Sequence, residues 1–181
     1  MASLQPRGWI SAWFLLTLPV IIYDATYCFF RPRSMVGGDL HWIWKVYEIW
    51  EDIDHIYGVP SFQSGDGFTN AQSFVNMLEQ IGGIAYLYLA HVAQSPAAPV
   101  VAFGTVISTL SKTVLYWAQE YYCGFCAIGH NGVPQLILWV ILNGIWIVVP
   151  AIISVQLYQD LAKSLRVAAR AEASTKKSKY N

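Results

Sequence analysis

The segment FVNMLEQIGGIAYLYLAH, residues 74–91, has the apolar character of a membrane-spanning helix, yet it contains a carboxylate, Glu79. An ionised carboxylate at the centre of a bilayer costs about 3 kcal/mol on insertion scales. Gln72, Asn76 and Gln80 lie at helical spacing from Glu79, so the four polar side chains share one helix face. In a membrane such a face must be buried against other helices or around a cavity. The segment therefore predicts a helix bundle with a polar interior.

The composition of the whole chain agrees with this interpretation. Of its 181 residues, 55% are hydrophobic, 15% aromatic and only 12% charged, against about 25% charged residues in soluble domains. The formal net charge is zero, which gives no indication of a nucleic-acid partner. We therefore predict an all-α polytopic membrane protein.

Apolar segments of about 20 residues, the length that crosses a bilayer, occur four times. They cover residues 9–30, 71–92, 98–122 and 134–157. We expect a four-helix membrane domain over residues 1–162 and a basic tail over 163–181, disordered beyond its first turns. A cleaved signal peptide is the rival interpretation of the first segment, but its only early basic residue is Arg7 and Asp24 makes a poor cleavage region.

Four spans place both termini on one side of the membrane, and the basic tail assigns that side to the cytosol. The acidic loop 31–70 and the loop 123–134 are then lumenal. Aromatic residues within 41–53 predict one short interfacial helix. Lys177 and Lys179 fit a dilysine endoplasmic-reticulum retrieval signal, although a solvated basic tail is the simpler alternative.

Polar residues form a stripe on each predicted span. The lumenal end of each predicted span lies within about 15 Å of one of four polar residues, Asp24, Glu79, Glu120 and Asn143. This arrangement predicts a polar intramembrane cavity open toward the lumenal half. Glu120 is expected to be partly solvated, and Asn143 alone could be an interhelical hydrogen bond. Lys112 cannot neutralise three acids, so one carboxyl is expected to be protonated and to form a proton donor–acceptor pair with another. Further cavity-lining candidates are Trp13, Tyr27, Tyr47, Asn76, Lys112, Tyr116 and Gln119.

Short motifs occur in the order found in a known family. They are IWKVY (43–47), NMLE (76–79), LYWAQE (115–120), NGIWIVVP (143–150) and the ending KKSKYN. Over roughly residues 9–160 the chain resembles the EXPERA-domain family, which contains emopamil-binding protein (a sterol Δ8–Δ7 isomerase) and the sigma-2 receptor.

The resemblance implies roles for residues at the matching positions. Asp24 and Glu79 would shuttle a proton, and Glu120 would tune their protonation or take part. Asn143 and Trp146 would orient and stabilise a carbocation formed by protonating an alkene. No metal or organic cofactor is implied. The isomerases carry a histidine one turn before the first acid, where this chain has Val20.

We therefore expect an isomerase or cyclase for a sterol, terpenoid or similar polycyclic lipid, and the absent histidine favours specialised metabolism. The expected partners are a small lipophilic polycyclic substrate and the bilayer, and the family often forms homodimers. The alternative is a non-catalytic sigma-2-like protein that binds or traffics sterols or amines. A proton-coupled transporter is disfavoured, since four short spans show no inverted repeat.

The three cysteines leave several alternatives open. CGFC (123–126) is a Cys-x-x-Cys motif without the βαβ context of a thioredoxin, and a four-ligand zinc site lacks partners. A disulfide from Cys28 to Cys123 or Cys126 is compatible with a lumenal location. Three unpaired thiols are the other interpretation.

Overall fold

The computed structural model describes residues 6–179, with side chains through residue 176, and is helical without strands in that range. The all-α prediction is therefore confirmed. The predicted interfacial helix is divided into a 3₁₀ turn, His41–Ile43, and a separate α-helix. The six α-helices are α1 (Gly8–Phe29), α2 (Tyr47–Ile53), α3 (Val59–Gln63), α4 (Phe68–His91), α5 (Ala98–Tyr122) and α6 (Val133–Lys179).

Three helices of the described chain, α1, α5 and α6, are long and apolar enough to cross a membrane. The protein is therefore a membrane protein. Helix α4, the second of the four predicted spans, has 24 residues but does not belong to this group. Its polar residues, among them Asn70, Gln72, Asn76, Glu79 and Gln80, lower its hydropathy.

The four long helices pack in chain order, α1 on α4, α4 on α5 and α5 on α6. At one end of the bundle, called here the turn end, residues 92–97 connect α4 to α5. At the other, called here the loop end, lie residues 30–67 and 123–132. The two ends therefore differ in how much chain connects the helices.

An apolar core fills the turn end. It contains Ile10, Phe14, Tyr86, Ala90, Ala98, Ala102, Val106, Ile153 and Leu157. A Cβ atom on Gly83 would lie 3.0 Å from the Phe14 ring, so the glycine is what lets α1 and α4 approach closely. Arg7 and Asp160 join α1 to α6 at this end through a salt bridge of 2.9 Å.

The basic tail differs from the prediction. Helix α6 continues without interruption across residue 163 to Lys179, whereas disorder was expected. Its last part is rich in Ala, Lys and Arg, which are strong helix formers. The side chains of the candidate retrieval signal, Lys177 and Lys179, lie outside those that the structure describes.

Candidate functional site

A pocket of 530 Å³ lies toward the loop end of the bundle. This volume is within the range of about 300–1,000 Å³ for small-molecule sites. Helices α1 and α6 both line it, together with α4, α5 and the segment that contains α2. Its lining residues are Trp13, Thr17, Val20, Ile21, Tyr23, Asp24, Val46, Tyr47, Trp50, Tyr57, Thr69, Gln72, Asn76, Lys112, Thr113, Tyr116, Leu142, Asn143, Ile145 and Trp146.

Asp24 is the one carboxyl group that lines this pocket among the described residues. The Tyr47 hydroxyl donates to Asp24 Oδ1 at 2.6 Å, and Asn76 Nδ2 donates to Oδ2 at 3.3 Å. Tyr47 is itself held by stacking on Tyr27, with ring centroids 3.9 Å apart. Since each oxygen has a donor, the orientation of the Asp24 carboxyl is determined by three structural elements, α1, α2 and α4.

Glu79 is buried and does not line the pocket. Its carboxylate accepts hydrogen bonds from Ser108 at 3.0 Å and Thr109 at 2.8 Å, and it forms a salt bridge of 2.8 Å with Lys112. The proton shuttle between Asp24 and Glu79 that the resemblance implies stays a prediction, and the structure places Glu79 outside the pocket lining. The carboxylate is held by three donors behind the pocket wall.

Lys112 and Asn76 connect the two acids. Lys112 Nζ donates to the Asn76 side-chain oxygen as well as to Glu79, and the Asn76 amide donates to Asp24. The resulting chain of contacts runs from Asp24 through Asn76 and Lys112 to Glu79. Because it crosses from α1 to α4 and α5, it positions the pocket carboxyl against the two helices behind it.

A second carboxyl reaches the pocket indirectly. Asp54, between α2 and α3, is fully buried and accepts hydrogen bonds from the Tyr116 hydroxyl and from Trp139 Nε1, the latter at 2.6 Å. Its other oxygen accepts the Ile56 amide at 3.3 Å. Burial raises the pKa of Asp54 above its ordinary value. Tyr116 lines the pocket, so its phenol ring lies between Asp54 and the interior of the pocket.

The sequence contained no signal that would single out Asp54. It is one of six acids in the loop 31–70, and its hydrogen-bonding partners lie 62 and 85 residues further along the chain. Only the tertiary structure, which brings Asp54 next to Tyr116 of α5 and Trp139 of α6, distinguishes it.

Two tryptophans form an aromatic wall of the pocket. The rings of Trp13 and Trp146 meet edge to face, with centroids 5.3 Å apart. Asn143 also lines the pocket, while its amide donates to the Trp139 carbonyl of its own helix at 2.9 Å. The pocket therefore brings together Trp13, Asp24, Tyr47, Asn76, Lys112, Tyr116, Asn143 and Trp146 from the predicted set.

Four predicted residues do not line the pocket: Tyr27, Glu79, Gln119 and Glu120. The Tyr27 hydroxyl instead donates a hydrogen bond to the Glu51 carboxylate. Gln119 contributes a buried oxygen without a hydrogen-bond partner among the described residues. Glu120 was expected to be partly solvated, but only 2% of it is exposed, because the loop that follows α5 folds back over it and donates the Ala127 amide to Oε2 at 3.3 Å.

The cysteines pair locally. Cys123 and Cys126 form a disulfide, and Cys28 is a buried free thiol. A pairing of Cys28 with either of the other two is therefore wrong, as is the alternative of three unpaired thiols. Among the side chains of residues 6–176, those whose spacing would suit a metal ion are Glu120, Cys123 and Cys126, and all three lie outside the pocket lining.

Comparison with known proteins adds no identification. No protein-family model, curated protein or solved structure matches this chain. The resemblance to the EXPERA-domain family stays a prediction from the sequence motifs, and the function is argued below from the site.

Proposed function

We propose that the protein is a membrane-embedded isomerase or cyclase that protonates an alkene of a sterol, terpenoid or similar polycyclic lipid. The observation that carries this proposal is Asp24, the one pocket-lining carboxyl among the described residues, in a cavity lined mainly by apolar and aromatic side chains. Such a cavity suits a lipophilic substrate, and an oriented acid within it suits proton transfer.

Asp24 would be the proton donor. An alkene is a weak base, so its protonation requires a neutral acid in a site from which water is excluded. The hydrogen bonds from Tyr47 and Asn76 hold both carboxyl oxygens in place. Proton transfer from Asp24 to the alkene leaves a carbocation on the substrate and a carboxylate on the enzyme.

The aromatic wall would stabilise that carbocation. A cation within about 6 Å of an indole ring is attracted by the ring quadrupole, by about 2 kcal/mol or more in a desolvated site. Trp13 and Trp146 supply two such rings. The newly formed carboxylate of Asp24 adds an opposite charge in the same cavity, and Asn143 would orient the substrate.

Tyr116 and Asp54 would accept the proton that the cation loses. As the substrate gives a proton to the Tyr116 oxygen, Tyr116 passes its own proton to Asp54 along the existing hydrogen bond. The raised pKa of Asp54 makes this carboxylate a better acceptor. One proton enters the substrate and one leaves it, as an isomerisation or a proton-terminated cyclisation requires, and proton release from Asp54 with proton uptake by Asp24 restores the starting state. Glu79 and Lys112 would act as positioning residues through Asn76.

Helix α4 would be the fourth membrane helix in this proposal. Its exposed side includes Phe74, Leu78, Ile81 and Ile84, which suit contact with lipid, while Asn76 and Glu79 are buried in the bundle. The proposed location is the endoplasmic-reticulum membrane, with both termini cytosolic because the basic residues cluster in the tail.

The decisive experiment uses membranes that contain the full chain and a panel of polycyclic alkenes in deuterated water. We expect a rearranged, deuterium-labelled product with the wild type. Asp24→Asn should lower its rate of formation by about 10²–10⁴-fold, whereas the exposed control Asp52→Asn should not change it. Undiminished turnover by a folded Asp24→Asn protein would contradict the role of Asp24.

The second candidate function is non-catalytic binding of a sterol or an amine. The observation that favours it is that a carboxylate and two indole rings in one cavity also suit an ammonium group. Tight amine or sterol binding by wild type, with no labelled product from any alkene of the panel, would favour this function over catalysis.

A further inference from the structure

We propose that Glu120, Cys123 and Cys126 form a metal site when the disulfide between the two cysteines is reduced. One ligand atom from each side chain lies within 4.8 Å of the others. None of the three lines the pocket, so this site is separate from the proposed chemistry. The structure thus contains the disulfide form, and the metal form is its reduced counterpart.

The cysteine loop has the arrangement of a metal-binding turn. Cys-x-x-Cys spacing is common in zinc sites, since it places two sulfurs on one ion. The Cys126 amide lies 3.1 Å from Cys123 Sγ, where it would donate a charge-assisted hydrogen bond to a thiolate. Gly124 and Phe125 have φ values of 74° and 60°, and this left-handed turn brings Cys126 back toward Cys123.

Glu120 supplies the second, independent observation. The residue is 2% exposed, and its Oε1 atom is buried without a hydrogen-bond partner among the described residues. Buried polar atoms are normally paired, because an unpaired one loses its hydration without compensation. A metal ion bound by the carboxylate and the two sulfurs would provide the missing partner.

The ligand set selects the class of metal. Two thiolates with one carboxylate suit a borderline-soft divalent ion such as Zn²⁺, bound tetrahedrally with water at the fourth position. Cys123 and Cys126 are exposed, so water and reductants can reach the sulfurs. Harder ions such as Mg²⁺ prefer an all-oxygen site and would be excluded.

Formation of the site is a two-electron reduction followed by metal binding. A dithiol reductant exchanges with the disulfide, so that the reductant is oxidised to its own disulfide and the protein gains two thiols. Zn²⁺ then binds the two sulfurs as thiolates and displaces their two protons. Exchange with a small-molecule disulfide re-forms the bond between Cys123 and Cys126, reduces the added disulfide to two thiols and releases the ion.

The test uses the full chain in detergent, reduced with a dithiol that is then removed, and Co²⁺ as the probe. We expect one Co²⁺ per chain with a thiolate-to-cobalt charge-transfer absorption, lost on addition of Zn²⁺, and no binding by the oxidised protein. Cys28→Ser should behave as wild type, and the double variant Cys123→Ser, Cys126→Ser should lose the absorption. Absence of cobalt binding by the reduced wild type would overturn the proposal.

The carboxylate is tested separately. Glu120→Gln should weaken cobalt binding at least about tenfold, and an unchanged affinity in the folded variant would remove Glu120 from the site. If this variant does not fold, alkylation of reduced wild type still tests the two thiolates of the site. Equimolar Zn²⁺ should then protect Cys123 and Cys126, and equal alkylation with and without zinc would contradict the proposed site.

Discussion

The turn end and the loop end of the bundle are built from the same four long helices, but the interior of the turn end is a filled apolar core and the interior of the loop end is a pocket. At the turn end the helices enclose an apolar core that includes Ala102, Val106 and Ile153. At the loop end they surround the 530 Å³ pocket, whose mainly apolar and aromatic lining also includes hydrogen-bonded polar groups. Small residues allow close helix contact in the first region, whereas aromatic rings and hydrogen-bonded polar groups occupy the second.

The difference follows from the connections between the helices. Residues 92–97 form a short turn between α4 and α5, but residues 30–67 fold into two further helices between α1 and α4. Arg31 connects this longer segment to α4, since its guanidinium donates hydrogen bonds to the side chains of Thr69 at 2.6 Å and Asn70 at 2.8 Å. This segment contributes Tyr47 and Tyr57 to the lining, so the pocket is formed by the long helices and by residues 30–67 together.

The largest effect on stability is expected at the loop end. Lys112→Met leaves the buried Glu79 without its ion-pair partner, which should lower the free energy of unfolding by up to about 3–5 kcal/mol. Thermal unfolding in detergent, followed by tryptophan fluorescence, measures the change. The exposed control Lys163→Met should have little effect, and adding Glu79→Gln to Lys112→Met should restore most of the stability. A stable single variant would show that this pair does not support the loop end.

An intermediate effect is expected at the turn end. Ile153→Ala removes a fully buried side chain and should cost about 2–5 kcal/mol, while the neighbouring Ile152→Ala, which is 55% exposed, should cost far less. The same unfolding experiment compares them. Turnover below the unfolding temperature should be unchanged in both, because neither residue lines the pocket. A selective loss of turnover in folded Ile153→Ala would show that the two ends are not independent.

The smallest effect concerns pH. Burial raises the pKa of Asp54 above the ordinary aspartate value of 3.8, so the folded protein binds this proton more tightly than the unfolded chain. The stability from protonated Asp54 is fully present below pH 3.8 and is lost as the pH rises through the folded pKa. Asp54→Asn should therefore reduce the loss of stability between acidic and neutral pH.

Asp39→Asn is the matched control for Asp54→Asn. A hydrogen bond from Arg33 lowers the pKa of the exposed Asp39, so its contribution to stability is present above its ordinary pKa and is lost as the pH falls. This substitution should change the pH dependence in the opposite direction and by less, since exposed ion pairs contribute little. Identical pH profiles for Asp54→Asn and wild type would contradict the assignment.

Much of the helical framework could be predicted from the amino-acid order. The predicted spans 9–30 and 98–122 match α1 and α5 to within one residue, because a long apolar segment must satisfy its backbone hydrogen bonds internally. The polar stripes also identified Asp24, Asn76, Lys112 and Tyr116 as interior residues. The prediction of a disordered tail is wrong because the Lys and Arg residues that make the tail basic, and the Ala residues among them, also favour helix.

The sequence by itself determined a helical membrane protein with acids and aromatics on its inner helix faces, because hydropathy and helical periodicity are local properties. The tertiary structure decided which partner each acid has: Lys112 for Glu79, Tyr47 for Asp24, and Tyr116 for the unforeseen Asp54. It also decided the pairing of Cys123 with Cys126. These pairings depend on how α2 and the loop after α5 fold back onto the bundle, and a hydrogen bond between distant residues forms only where that folding brings donor and acceptor together.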